Sequence, residues 1–169
     1  MSDLNKNPIH KVYIGLGSNI NPAINFERAV DQLHDAVQIE AITKVWETPP
    51  VGSSGPNFLN AVALIRTSLI IEDLRDKVLR RIESKIGRVR TEDPNAPRPI
   101  DLDILLFDEQ VVDDEIWTQA HIAVPLAEFL PNYLCIETGE TLQEIAQRLE
   151  IKNPLKIRSD LILDFSRSQ

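Results

Sequence analysis

The amino-acid sequence predicts an α+β fold: a ferredoxin-like antiparallel sheet with helices packed on it, plus additional short strands and a late helix. Segments of strand period and of helix period follow one another as strand, helix, strand, strand, helix, strand, the split arrangement of that fold with helices on one face. Proline-rich stretches at 48–56 and 91–99 punctuate the order. At 169 residues the chain has the length of one domain, long enough to bury a sizeable core without disulfide or metal staples. A single domain, 1–169, is expected.

Val12 to Leu16 alternates aromatic and branched residues and runs into Gly17-Ser18-Asn19, a strand ending in a turn. Gly15-Leu16-Gly17 reads as a tight turn rather than a dinucleotide loop, because Ile20 stands where the third glycine of that fingerprint belongs. Asn21-Pro22 opens a helix by cap and first-turn proline, with Ile24, Val30, Leu33 and Val37 among its apolar positions. Ile39 to Glu47 is a second strand. Thr48 to Pro56 holds neither a ladder nor a helix and is a long loop. Phe58 to Thr67 is a third strand, Leu59, Ala61, Ala63 and Ile65 alternating with Asn60, Val62 and Leu64.

Ile71 to Ile86 is a long amphipathic helix with Leu74, Val78, Leu79 and Ile82 on one side, Glu83 on its last turn and Gly87 as its stop. Thr91 to Pro99 is a second long loop. Ile100 to Phe107 is the fourth strand, turned by Asp108-Glu109 into a short partner at Gln110 to Val112. Thr141 to Glu150 is the late helix. Residues 153–169 form a C-terminal extension whose apolar patch, Leu161-Ile162-Leu163, either adds an edge strand or packs on a partner.

Eighteen basic and 26 acidic residues leave a net charge of -8, which argues against a nucleic-acid or anionic-membrane surface. The basic cluster from Arg75 to Arg98 is a local exception. No apolar run approaches the roughly 20 residues of a membrane helix, and the polar start MSDLNKNPIH lacks a signal peptide's apolar core. Cys135 stands alone, which excludes an internal disulfide and fits a reducing cytosol. The expected protein is cytoplasmic and monomeric, with a dimer through the extension left open.

The chemistry concentrates between Arg88 and Asp103. In a strand, Asp101 and Asp103 project from the same face roughly 7 Å apart, so both carboxylates can serve one site. Hard cations such as Mg2+ take one or two carboxylates and complete their shell with water and phosphate oxygens. Arg88, Arg90 and Arg98 supply planar donor forks that match phosphate. The competing reading is an exposed strand end whose ion pairs are worth under about 1 kcal/mol. Against it stands the apolar run Ile104-Leu105-Leu106-Phe107, because acids entering a core strand need a partner. No P-loop pattern occurs, so a polyphosphate would be held by side chains and metal. His121, in the polar segment Thr118-Gln119-Ala120-His121, is a candidate phosphate donor, while His10 and His34 lack company.

From Val12 to about Leu149 the chain resembles the 6-hydroxymethyl-7,8-dihydropterin pyrophosphokinases of folate biosynthesis. The likeness rests on Tyr13-Ile14-Gly15-Leu16-Gly17-Ser18-Asn19, Thr48-Pro49-Pro50-Val51-Gly52, Phe58-Leu59-Asn60-Ala61, Arg81-Ile82-Glu83, Gly87-Arg88-Val89-Arg90 and Pro97-Arg98-Pro99-Ile100-Asp101-Leu102-Asp103-Ile104, in the family's order and spacing. The resemblance implies an enzyme that transfers the pyrophosphoryl group of ATP to the pterin's hydroxymethyl group, releases AMP and uses two Mg2+ ions. It implies Asp101 and Asp103 as metal ligands. Arg88, Arg90, Arg98, Ile104, Thr118 and His121 would bind ATP. Thr48, Pro49, Val51, Phe58, Asn60 and Asp101 would bind the pterin, and Arg88, Arg98, Asp101, Asp103 and His121 form the catalytic set.

The chain also departs from the family pattern. Asn95 and Ile122 stand where members commonly carry tryptophan and tyrosine. The segment after His121 omits residues in which relatives keep a phosphate-binding arginine and a ring that stacks on the pterin. That omission motivates an alternative: a non-catalytic or altered-specificity paralogue that keeps nucleotide and metal binding.

Overall fold

The computed structural model describes residues 7–165 apart from Val51 and Ser53. A mixed-length antiparallel sheet forms its centre. Its strands are β1 (His10–Ser18), β2 (Gln38–Ile42), β3 (Trp46–Thr48), β4 (Phe58–Thr67), β5 (Asp101–Phe107), β6 (Gln110–Val111) and β7 (Lys156–Ile157). They lie in the order β6-β5-β1-β4-β3-β7, with β2 also pairing β4. The strand expected over Ile39 to Glu47 is thus two strands on different stretches of β4: Gln38 pairs Arg66, and Trp46 pairs Asn60.

The helices are α1 (Pro22–Ala36), α2 (Ile71–Asp73), α3 (Arg80–Ile86), α4 (Ala120–Phe129) and α5 (Leu142–Lys152). A π-helical segment, Leu74–Leu79, joins α2 to α3, so the predicted helix over 71–86 is continuous but widened at its centre. A 3-10 turn spans Asp114–Trp117. Asn21 precedes Pro22 in left-handed geometry and makes no side-chain cap; Asn25 donates back to the Ile20 carbonyl at 2.7 Å instead. Ile24, expected on the apolar face, points outward.

Helices cover both faces of the sheet, not one. Val12, Ile14 and Leu16 of β1 pack with Ala61, Ala63 and Ile65 of β4 beneath α1, the π segment and α3. Tyr13, Val62, Leu105 and Leu106 pack on the opposite face under α4 and α5. The sequence reason is that β1 and β5 are apolar on both sides, and only a second helical layer removes Tyr13 and Leu106 from water. A β-bulge leaves Leu105 as an extra residue opposite Tyr13 and Ile14, and such bulges bend strands next to sites.

The apolar patch Leu161-Ile162-Leu163 forms no strand; the extension adds its edge strand earlier, at Lys156–Ile157, and the patch turns inward on its own core. β7 pairs β3, and Leu161, Leu163 and Phe165 pack against the α1-side core. Thr141 caps α5 in a reciprocal box with Glu144. No helix among the described residues is long and apolar enough to cross a membrane.

Gly87 ends α3 at φ +99°, and the Arg88 N–H then donates to the Glu83 carbonyl at 3.0 Å. An added Cβ at Gly87 would meet no atom within 4 Å, so only the backbone opposes a side chain there. Gly87→Ala should therefore lower unfolding stability by about 1–2 kcal/mol in denaturant titration, the cost of a left-handed L-residue.

Candidate active site

The end of β5 nearest the 91–99 loop holds the densest ionic network among the described residues. Glu83, on the last turn of α3, is 2% exposed. Its Oε1 accepts from Arg88 at 2.6 Å and from the Leu102 N–H at 2.9 Å, and its Oε2 accepts from Arg90 at 2.9 Å. The same Arg88 Nη1 donates to Asp101 Oδ1. Arg98 Nη1 donates to Asp101 Oδ2 at 2.6 Å, while its other nitrogens reach the Pro94 and Ala96 carbonyls. Both oxygens of Asp101 are therefore paired with guanidiniums.

The charge states follow from these contacts. Burial opposes ionisation of Asp101, but Arg88 and Arg98 outweigh it and hold the carboxyl below its ordinary value, which weakens Asp101 as a proton acceptor. Burial also opposes the Arg88 charge, and Asp101 with Glu83 keeps it protonated. Burial pushes the Glu83 carboxyl up, against the pull of the Leu102 N–H and Arg88. Asp103 has no comparable partner: its side chain stays open to solvent at the cavity, yet desolvation by the protein packed around it and the Asp101 and Glu83 charges push it up to about 7.

A cavity of about 520 Å³ opens on the α4 side of this network, within the range of small-molecule sites. Gly15, Gly17, Asn60, Val62 and Leu105 of the sheet line it, Thr48, Pro49 and Phe58 stand at one side, and Pro94 and Asn95 belong to the loop. Asp101 and Asp103 enter it together, as strand alternation predicts. The loop is pinned by the end of β1: Ser18 donates to the Pro99 carbonyl at 2.6 Å, and Asn19 Oδ1 accepts the Arg98 N–H at 2.8 Å. Gly15-Leu16-Gly17 is accordingly strand, not turn, with its glycines facing the cavity. Phe58 sits 5.9 Å below the Arg98 guanidinium. Asn60 donates to Thr48 Oγ1 at 3.0 Å.

His121 is helical, in the first turn of α4, where a polar loop was expected. It lines the cavity, and burial, opposed by Asp113 and helped by Arg98, pushes its pKa down, so the ring is neutral. Ile122 lines the cavity beside it. The shortened segment thus feeds His121 straight into a helix.

Several anticipated residues lie elsewhere. Arg88 stands behind Asp101, and Arg90 is exposed on the far side of Glu83. The Ile104 side chain is in the α1-side core, and Thr118 is exposed outside the cavity lining. Val51 falls outside the described residues. Asp113, Glu115 and Gln119 line the cavity without having been foreseen. Their signal is faint: Asp113 Oδ1 caps the 3-10 turn by accepting from the Glu115 N–H at 2.9 Å, and an Asp-Asp-Glu run reads as a solvated turn. Burial, with Asp113 and Asp101, raises the Glu115 carboxyl. Glu83 was visible on the last turn of its helix and in the Arg81-Ile82-Glu83 motif, without a role.

The donor set fits a hard cation with an incomplete protein shell. No cluster of three or more metal-ligating side chains occurs among the described residues, so Asp101 and Asp103 would share such an ion with water and phosphate oxygens.

A family model described as 7,8-dihydro-6-hydroxymethylpterin-pyrophosphokinase matches residues 13–131. The 2-amino-4-hydroxy-6-hydroxymethyldihydropteridine pyrophosphokinase of Aquifex aeolicus is 33% identical over 133 residues, covering 73% of this chain and 82% of that protein. Its namesake in Methylorubrum extorquens is 35% identical over 152 residues, covering 83% of this chain and 94% of that protein. Among solved structures, Plasmodium falciparum HPPK-DHPS superposes with a TM-score of 0.70 at 11% identity, over 88% of this chain. The likeness shows a shared fold, and the chain spans 44% of that longer chain.

Because the folded protein takes up more protons at Asp103 than the unfolded chain does, stability should fall as pH rises from about 4 to about 7 at this group. Unfolding midpoints in metal-free buffer at about pH 5.5 and pH 8 should show a smaller loss in Asp103→Asn than in the natural sequence.

Proposed function

Because the chain belongs to the 7,8-dihydro-6-hydroxymethylpterin-pyrophosphokinase family, we propose that its cavity is the site where ATP and the pterin meet, with Asp101 and Asp103 at the reacting end. The enzyme transfers pyrophosphate from ATP to the hydroxymethyl group of 6-hydroxymethyl-7,8-dihydropterin, a step of folate biosynthesis. The pterin hydroxyl oxygen bonds to the β-phosphorus and gives up its proton to water, the bond from that phosphorus to the α-phosphate oxygen breaks, and AMP leaves. The family match favours this over the non-catalytic paralogue.

The observation that carries the site assignment is the shared face of Asp101, Asp103 and Asn60 in one cavity, with Arg98 at its rim. Asp101 and Asp103 would hold Mg2+, two ions on our reading, which offsets the charge of the polyphosphate and clamps its oxygens when bound. Arg98 and Arg88 exchange Asp101 for phosphate oxygens, and Arg90 leaves Glu83 to assist; each guanidinium keeps a charge partner throughout. His121 donates from its neutral ring. Ile104 offers only its backbone to the nucleotide, and Thr118 would need to approach from outside the cavity. Asn60 reads the polar edge of the pterin, with Thr48 and Pro49 completing that end; for Val51 the pterin-binding role rests on the resemblance alone. Phe58 covers one face of the ring, and Ile122 supplies apolar cover where relatives carry an aromatic side chain.

We take the chain as a single domain working as a monomer in a reducing cytoplasm. β7 occupies the β3 edge, and Arg158 donates to Glu47 beside the pterin loop at 3.2 Å, so the extension serves its own sheet. Purified protein supplied with ATP, Mg2+ and the hydroxymethyl pterin should release AMP. Asp103→Ala should cut that rate by at least about 100-fold, as expected for losing a charge-stabilising group at the transferring phosphate. Full activity in that variant would overturn the assignment.

A further inference from the structure

Regular pairing between β1 and β5 stops at Gly17 and Asp101, and the chain just before Asp101 explains why. Pro97 and Pro99 have no N–H to give to a ladder, and a residue that precedes a proline is kept out of helical geometry. Arg98 stands between them. Its backbone N–H and carbonyl therefore find no partner in helix or ladder, yet buried main-chain groups need one.

Two residues at the end of β1 supply the partners. Asn19 Oδ1 accepts the Arg98 N–H at 2.8 Å, and the Asn19 N–H donates to the Arg98 carbonyl at 3.2 Å, so one residue closes a ring on both polar groups of the other. Ser18 Oγ donates to the next carbonyl along, that of Pro99, at 2.6 Å. Every backbone N–H and carbonyl from Arg98 through Pro99 is thereby engaged from β1. Ser18 is 0% and Asn19 5% exposed, and β4 holds Ser18 in turn, in register with Leu59. The loop before Arg98 is held differently: the Thr91 hydroxyl and the Asn95 and Ala96 N–H groups all donate to Asp93, within the loop itself. The sheet thus grips the loop at its last two residues. That grip falls on the residue whose guanidinium reaches Asp101.

We propose that Asn19, supported by Ser18, is the positioning residue for Arg98. Neither lines the cavity, so their effect passes through the arginine. The anchored backbone aims the guanidinium into the cavity and keeps its base fixed while the head group exchanges Asp101 for a phosphate oxygen. Without Asn19 Oδ1 the Arg98 N–H is orphaned, and the backbone beneath the guanidinium must be ordered again each time phosphate binds. The inference rests on the function proposed above, in which Arg98 takes phosphate oxygens.

The test is a double-mutant cycle read by calorimetric titration of the full chain with a nonhydrolysable ATP analogue in Mg2+. Asn19→Ala should raise the analogue's dissociation constant roughly tenfold, the scale of one orphaned buried N–H. In an Arg98→Met background the same change should move it by less than about twofold, because the group being positioned is gone. Ser18→Ala, which removes a single bond, should follow the same pattern at about threefold, and it decides the matter if Asn19→Ala does not fold. Binding equal to that of the natural sequence in these variants would overturn the proposal. A loss of the same size in both backgrounds would overturn it too, as the mark of a purely structural anchor. Failure of the natural chain to bind the analogue would instead overturn the functional reading.

Discussion

One guanidinium, Arg88, is shared by two carboxylates that the fold takes largely out of bulk water: Glu83 at the end of α3 and Asp101 at the start of β5. Neither acid could be buried there alone, since an unpaired charge in such surroundings costs several kcal/mol. The pairing also fixes geometry, because Glu83 Oε1 accepts the Leu102 N–H and so ties the helix terminus to the strand that carries Asp101 and Asp103. Gly87 makes this possible by turning the chain sharply enough for Arg88 to point back past its own helix end. The Asp101 and Asp103 carboxylates, the arginines that pair with the acids and the helix stop are one mechanical unit.

The same unit explains the uneven charge of the site. Asp101 is fully engaged by Arg88 and Arg98, while Asp103, two residues along the same face, meets mostly other acids. On the function proposed above, polyphosphate with its cation would resolve both conditions at once, offering the arginines new partners and Asp103 a positive charge. The resting arrangement is thus a set of ion pairs ready to exchange rather than an open cage.

Much of this was legible in the sequence because it depends on local spacing. The alternation of Asp101 and Asp103, the proline-marked loops and the Gly87 stop depend on neighbours along the chain, and β4 and the 71–86 helix fell where their periods put them. What was missed depends on contacts distant in sequence. Gly15-Leu16-Gly17 carries turn composition, yet antiparallel pairing on both sides with Asn60 and Asp101 holds it in a strand. Residues 120–129 hide a helix because Pro125 and a run of small apolar residues mask its period, and burial of that helix on the second face of the sheet decides the matter. Asp113 and Glu115 carry no motif beyond their charge, and only the folded cavity gives them neighbours; Glu83 stands in the Arg81-Ile82-Glu83 motif, but its partners Arg88, Arg90 and Leu102 emerge only in the fold.

The central claim is that Arg88 neutralises a buried acid pair on which the site is built, and paired variants of that residue and Glu83 test it most directly. Equilibrium denaturation of Arg88→Met should show a loss of about 3–5 kcal/mol, the cost of stranding a buried carboxylate, with most of it restored in Arg88→Met combined with Glu83→Leu. A loss in Arg88→Met below about 1 kcal/mol, the value of an ordinary surface ion pair, would contradict the account.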